Sequence, residues 1–397
     1  VRDWQRRANT QTGFHQILDR RKGGTVKLKI EISTKELNGM LKDVSKCIES
    51  KPAVLWMKGV LLEAENGKLH GVATNGNQSI HKVVDCDVKE AGSIVLEDGK
   101  LFADVVSKLS GDCKIETSVD GKKANIKAKG SKTSMLLQEE GTFVKPEHFE
   151  PTIEMNVRGD ELCRALKGVQ YAIAKNDNRV ALTGANVTFE NGTAKVVGLD
   201  GYRLAVYRIH CLDVGDEVNT CMLIPGHTVS SILGIFGDAE SVNIVSDGKK
   251  IGLSTDEVQV QAQLLAGEYP DYKRIMPKQS TTKVQVSTRE LREAISRALL
   301  MCGNSTLLKF RIEQEQITIT SNSEIGNSEE NVECMTEGNP MEIAFNGRFL
   351  LESLGCADSE NVMMKMTTEV SPAILMAADG GDWLHVVLPV RVVGAAN

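Results

Sequence analysis

Three times along the chain an alternating stretch of apolar and polar residues runs straight into a helical one. K-L-K-I-E-I-S (27–33) precedes T-K-E-L-N-G-M-L-K-D-V-S-K-C-I-E-S, T-I-E-M-N-V-R-G (152–159) precedes D-E-L-C-R-A-L-K-G-V-Q-Y-A-I-A-K, and K-V-Q-V-S (283–287) precedes T-R-E-L-R-E-A-I-S-R-A-L-L-M-C-G. Period-two alternation marks a half-buried strand, and recurrence at i, i+3/i+4 marks one face of a helix. The three apolar faces are Leu37, Leu41, Val44, Ile48; Leu162, Leu166, Val169, Ile173; and Leu291, Ile295, Ala298, Cys302. Ser33/Glu36 and Ser287/Glu290 read as capping boxes that start the first and third of these helices. A second, shorter helix is predicted later in each stretch, over 99–109, 226–236 and 347–356.

Between the helices lie strand-like runs closed by turn signals: E-N-G (65–67 and again 190–192), S-D-G (246–248) and an acidic loop near Glu329. The two E-N-G turns lie 125 residues apart, as do T-N-G (74–76) and L-D-G (199–201). A weaker third copy, E-Q-E-Q-I-T-I-T-S-N-S (313–323), lies over 190–200 at an offset of 123. The chain therefore reads as an α+β protein, three tandem units of two helices on antiparallel sheet. A basic stretch, residues 1–25, stands apart and is expected to be a disordered tail, with Val26 an alternative start.

Composition narrows the function. With 47 Lys+Arg against 53 Asp+Glu the chain is acidic, which argues against wrapping DNA by bulk charge. At 4% aromatic residues it is poorly suited to stacking bases. Nine scattered cysteines without C-x-x-C spacing suit reduced thiols in the cytoplasm, and no segment suits a membrane span. No phosphate loop, zinc spacing or nucleophile elbow is present, His81-x-x-x-Asp85 is a weak metal pattern, and Asp200 in L-D-G-Y-R-L reads as a turn residue. No catalytic, cofactor or metal site is expected; the sequence points to a binding role.

Four segments carry a resemblance. L-T-G-A-N-V-T-F-E-N-G-T-A-K-V-V-G-L-D-G-Y-R-L-A-V-Y-R (182–208), G-E-Y-P-D-Y-K-R-I-M-P (267–277), F-N-G-R-F-L-L-E-S-L (345–354) and H-V-V-L-P-V-R (385–391) resemble motifs of the bacterial DNA sliding clamps, the beta subunits of replicative DNA polymerase. The resemblance runs in order from about Val26 to Val392. It implies three DNA-clamp domains, at 26–147, 148–277 and 278–397, and a head-to-tail homodimeric ring around double-stranded DNA, bound without sequence preference. The implied function is processivity: holding a polymerase on its template, without catalysis. The alternative within the family is a plasmid or phage paralogue acting as an interaction scaffold. The implied partners are a replicative polymerase subunit, a clamp loader and other proteins with clamp-binding motifs, in the cytoplasm at the nucleoid.

Site residues follow by matched position. The peptide cleft is expected at Leu182, Leu199, Gly201, Tyr202, Arg203, Leu204, Pro225, Val229, Asn346, Phe349, Val370, Pro372, Val386, Leu388, Pro389, Val390 and Arg391. Apolar walls with one or two arginines suit a peptide carrying Leu and Phe anchors and a polar group. Lys35, Lys42 and Lys46 fall along one line of the first helix, opposite its apolar face, if that helix spans 33–51. With Lys51, Arg164, Lys167, Lys175, Arg289, Arg292 and Arg297 they form the expected DNA-facing set. Leu300 and Met301 are expected to meet Met135 and Leu136 of a second copy across the ring seam. The sequence departs from the family pattern at Gly226 and His227, where basic residues are usual, and at Leu388 and Val390, which replace methionines. Residues 393–397 run past the family's usual end.

Overall fold

The computed structural model describes residues 27–139, 141–190, 192–214 and 220–391. The expected basic tail and the last residues, 392–397, lie outside the described residues. The chain forms two compact units, residues up to 159 with 234–264, and residues 160–233 with 265 onward.

In the first unit a five-stranded sheet runs in the order Asp87–Glu90, Lys29–Ser33, Asp112–Thr117, Lys123–Ala128, Ser131–Leu136. A second antiparallel sheet pairs Gly92–Leu96, Val60–Glu65, Lys68–Thr74 and Gln78–Asp85, and goes on through Val258–Gln263, Lys250–Ser254 and Val242–Ser246 to Ile153–Val157. The pairing of Val258↔Lys82 through Ala262↔Gln78 draws residues 234–264 into this unit. Helix α1 (Thr34–Val44) buries Leu37, Met40, Leu41 and Val44, and α2 (Gly99–Ser107) buries Phe102 and Val106. Burial of such side chains stabilises by roughly 1.5–3 kcal/mol each.

The first helix is shorter than its periodicity suggests. It ends at Val44, a 3₁₀ turn covers Ser45–Cys47, and Ile48 is extended. Cys47 and Ile48 remain buried, so the apolar stripe is satisfied by a turn folding under the domain and not by further helix. The Ser33 hydroxyl accepts from the Lys35 N–H at 3.2 Å, one position earlier than a capping box requires. Ser287 accepts from the Glu290 N–H at 3.4 Å, as expected.

The second unit holds α3 (Gly159–Gln170), which begins at the unit border, α4 (Gly226–Leu233), α5 (Thr288–Leu300) and α6 (Gly347–Cys356). Its larger sheet is antiparallel: Thr220–Pro225, Gly184–Glu190, Thr193–Leu199, Arg203–Val214, Trp383–Val387, Ala373–Ala377, Asn361–Met366, Thr282–Ser287. The expected acidic loop near Glu329 is instead part of a long strand, Gly326–Gly338. Its first half pairs with Gln316–Ser323 and its second with Thr282–Ser287, so alternation of N-S-E-E-N-V-E-C-M with Val332 buried wins over the charge of the segment.

The 125-residue echo has a structural counterpart. Asn75 Oδ1 accepts from the N–H groups of Asn77 (3.1 Å) and Gln78 (2.8 Å), and Asp200 Oδ1 accepts from those of Tyr202 (2.9 Å) and Arg203 (3.0 Å). Gly76 and Gly201 follow at φ 85° and 90°, the left-handed region that favours glycine. No helix among the described residues is long and apolar enough to cross a membrane.

Candidate partner-docking site

The expected cleft residues divide into a floor, a rim and a group buried elsewhere. Leu182, Leu199, Leu204 and Val386 are buried in one cluster with Ala174, Val197, Val206 and Ile374. Tyr269, Tyr272, Met276 and Leu384 pack against it, partly exposed. The first three belong to the 267–277 segment, which the sequence offered as a motif but not as a source of site residues. The Tyr269 hydroxyl donates to the Val197 carbonyl at 3.5 Å, and burial pushes its pKa up. Pro225 pairs with Gly184 at the end of its strand and Val229 lies on the inner face of α4, both buried.

The rim is built around Arg203. Asp200 makes the turn with Oδ1 and accepts from Arg203 Nε with Oδ2 at 2.9 Å. Arg203 Nη1 donates to Glu352 on α6, and the guanidinium lies over the rings of Phe349 (4.3 Å) and Tyr171 (5.1 Å). Asp200, Tyr171 and Glu352 were not among the expected residues; a carboxylate one turn from a cleft helix's aromatic was the available signal for Glu352. Tyr202 is 64% exposed, with its ring 6.0 Å from that of Phe349. Asn346 is a helix cap, its side chain accepting from the Arg348 N–H at 3.0 Å.

Beneath Arg203 lies an aromatic cage. His385 is fully buried, with Trp383 at 4.8 Å, Tyr171 at 5.5 Å and Tyr207 at 5.7 Å between ring centres. Burial lowers the imidazole pKa to about 3, so the ring is neutral and acts as packing. Beside the rim, Val370, Val390 and Arg391 line a groove of about 480 Å³ with Lys309, Arg311 and Glu342. Leu388 and Pro372 are half-buried next to it, and Pro389 bridges to Phe345.

The expected DNA-facing residues are at the surface, but unequally free. Lys35, Lys42, Lys51, Lys167, Lys175, Arg289 and Arg292 are exposed. Lys46, in the 3₁₀ turn and not on the helix, is held by Asp43 at 2.8 Å, and Asp43 is also bound by Lys82. Arg164 pairs with Asp358 at 3.4 Å and Arg297 with Glu330 at 2.7 Å. Lys175 lies beyond the end of α3, so the line of cations drawn from an unbroken helix does not hold there or at Lys46.

The expected seam residues divide the same way. Leu300 is 76% exposed and Leu136 55%, whereas Met135 is only 8% exposed and points inward from Ser131–Leu136, the edge strand of its sheet. Met301 is half-buried as the C-cap of α5. Beside Leu136, Val54, Leu55 and Leu101 line an open pocket of about 760 Å³. Among the described residues no cluster of three or more His, Cys, Asp or Glu is placed to hold a metal, and His81 Nε2 faces His70 Nδ1 at 3.0 Å. None of the nine cysteines is joined in a disulfide, and burial raises the Cys47 thiol to about 12.

Three family models match in succession: the DNA polymerase III beta subunit N-terminal domain at residues 28–141, its central domain at 156–271 and its C-terminal domain at 273–391. The chain is 25% identical over 367 residues to a beta sliding clamp of Chlamydia pneumoniae, covering 92% of this chain and 99% of the relative. It is 26% identical over 375 residues to a beta sliding clamp of Staphylococcus aureus, covering 88% and 96%. Among solved structures it superposes on the DNA polymerase III beta subunit of Thermotoga maritima with a TM-score of 0.85 at 24% identity, covering 92% of this chain and 100% of that one. A Bacillus subtilis sliding clamp gives 0.86 at 23%, with the same coverage. At these identities the structural likeness is one of fold.

Proposed function

This chain belongs to the family of DNA polymerase III beta subunits, the sliding clamps, and on that premise we propose that two copies close head to tail into a ring around duplex DNA. The family is one of processivity factors, not catalysts. The observation that carries the reading is the in-order match of all three domain models over residues 28–391. The domains run over 26–147, 148–277 and 278–397, with the seam formed by Leu300 and Met301 against the Ser131–Leu136 edge.

A ring stays on DNA because it is closed, not because it grips. Tight phosphate contacts would oppose sliding, so a few exposed cations on an acidic chain suit the task. Exposed Lys35, Lys42, Lys167, Arg289 and Arg292 supply them, while Lys46, Arg164 and Arg297 are neutralised by carboxylates. The Arg203 rim and its apolar floor take the anchors of a short peptide from the replicative polymerase, the clamp loader or another partner. The complex works in the cytoplasm, at the nucleoid.

The test is topological. After loader and ATP are added, the chain should stay on nicked circular DNA through gel filtration and run off the same DNA once it is linearised. Equal loss from both templates overturns the ring. Solution mass should be about twice 43.3 kDa.

A further inference from the structure

We propose that the facing imidazoles of His70 and His81 form a proton-sensitive latch, which holds the connector over residues 142–149 against the sheet beneath it at neutral pH and releases it in acid. The inference lies wholly within the first unit and depends on neither the ring nor the docking cleft.

Strand register builds the latch. Glu63 stands opposite His70, and His81 stands opposite Gln259, with Gln261 opposite Ser79. His70 itself is opposite Val83, which makes His81 its diagonal neighbour. Residues opposite or diagonal to one another in an antiparallel pair point to the same face. Glu63, His70, His81, Gln259 and Gln261 therefore share one face of the sheet, and all five are buried. The connector is tied across that face at successive residues. Phe143 meets Trp56 edge-on at 6.1 Å between ring centres, and Lys145 Nζ lies 3.5 Å from Glu63 Oε2. The Glu147 carbonyl accepts from Gln261 Nε2 at 2.8 Å, and the Phe149 ring lies 3.6 Å from where a Cβ on Gly252 would stand.

His70 Nδ1 and His81 Nε2 are 3.0 Å apart, a hydrogen bond with room for one proton between the two nitrogens. One imidazole donates and the other accepts, and a singly charged pair keeps that bond. A doubly charged pair sets N–H against N–H and places two cations in a buried site. The charged groups around the pair partly cancel. Glu63 and Glu65 come from one neighbouring strand, and Lys68 lies on the His70 strand with Asp85 and Glu257 near it. The connector brings Lys145, Glu147, which also meets Lys250 at 3.5 Å, and His148, which meets Glu150 at 3.1 Å. Gln259 and Gln261, on the other side, are uncharged. Desolvation holds the His70 pKa below 6.5, with Glu65 opposing that shift and Lys68 adding to it. Imidazoles freed into water each take a proton near pH 6.5, roughly. The closed pair refuses at least one of those protons, so the latch is favoured above about pH 6.5 and weakens as pH falls below it.

The experiment uses the full chain and a glutamyl endopeptidase, with mass spectrometry following the cut after Glu147. Each rate is divided by that on a free peptide of residues 142–152 at the same pH, which cancels the protease's own pH dependence and the titration of Glu147 and His148. Cleavage after Glu342, in a paired strand of the other unit, reports general unfolding and should stay low. One refused proton with an open-state pKa of about 6.5 raises the open fraction roughly tenfold between about pH 7.5 and 5.5, so relative cleavage should rise at least that much. His81→Gln puts a carboxamide where Nε2 stood, which accepts from His70 whether or not that ring is charged, and the rise should fall to about twofold or less. His70→Asn does the same from the other side and serves if His81→Gln is cut after Glu342. Glu63→Gln should raise cleavage at every pH and keep the rise in acid. No rise in the unaltered chain overturns the inference. So does a rise that persists in the histidine variants, or one that disappears with Glu63→Gln, which would place the titrating group at Glu63. None of these outcomes bears on the docking or the ring.

Discussion

The backbone N–H of Leu388 donates to the carbonyl of Tyr202 at 2.9 Å. Two residues on, the N–H of Val390 donates to the carbonyl of Ala344 at 2.8 Å, and Pro389 between them bridges to Phe345. The segment after the strand Trp383–Val387 therefore ties the Asp200–Arg203 turn to the strand Met341–Asn346, which leads into α6. Two walls of the rim share one strap.

Leu388→Pro removes the donor to Tyr202 and leaves the apolar residue count unchanged. A single hydrogen bond at a part-exposed turn is worth about 1 kcal/mol, so the melting temperature should fall by no more than about 4 °C. Peptide affinity at the rim should fall much more, because Tyr202 and Phe349 lose their common reference. Melting curves beside peptide anisotropy test this; equal, small effects on both would show that the strap does not position the rim.

Leu136 and Met135 are adjacent and face opposite ways. Leu136→Asp should leave the melting of the monomer nearly unchanged and shift the solution mass from dimer to monomer, and Leu300→Asp should do the same. Met135→Asp instead buries a charge, and the chain should lose several kcal/mol and fold poorly. Sedimentation with parallel melts distinguishes the two classes. A dimer that survives both Leu136→Asp and Leu300→Asp would remove these residues from the seam.

Gly198 sits where the strand Thr193–Leu199 passes under α3. A Cβ there would lie 2.5 Å from the Val169 carbonyl oxygen, a backbone atom that cannot swing aside. Gly198→Ala should therefore force the helix away from the sheet and destabilise by about 1–3 kcal/mol, read as a lower denaturant midpoint with unchanged slope. A neutral outcome would mean that α3 moves freely on the sheet.

Much of this architecture was legible from pattern alone, for reasons that also explain the misses. The starts of α1 and α5 were visible because Ser33 and Ser287 precede an apolar stripe. The end of α1 was not: Cys47 and Ile48 continue the stripe but bury themselves from a turn, and periodicity does not record which backbone brings a side chain inward. Glu329 looked like loop because its neighbours are charged, although a strand paired on one edge by Gln316–Ser323 tolerates acids on its open face. In the candidate site, Arg203 stood out from its motif with Asp200 in the same turn, whereas Glu352 could be found only when a turn and a helix 149 residues apart were brought together. Met135 and Leu136 are both apolar, and only the register of the edge strand separates them.

His385 gives the last prediction. It is fully buried against Trp383, Tyr171 and Tyr207, and its folded-state pKa is pushed down from 6.5 to about 3 by desolvation. Between those two values the unfolded chain carries the proton and the folded chain does not, so acid favours unfolding. The contribution to stability is full above pH 6.5, is lost as pH falls, and stops changing near pH 3. One proton is worth a slope approaching about 1.4 kcal/mol per pH unit. His70, also lowered by burial, acts in the same direction. His385→Phe keeps a flat ring in the cage and removes the proton, so its stability should decline less steeply on acidification than that of the unaltered chain. Urea unfolding at a series of pH values between about 3 and 6.5 measures both slopes. Parallel slopes would mean that His385 meets a proton in the folded state as readily as in the unfolded one, and that the cage beneath Arg203 is open to water.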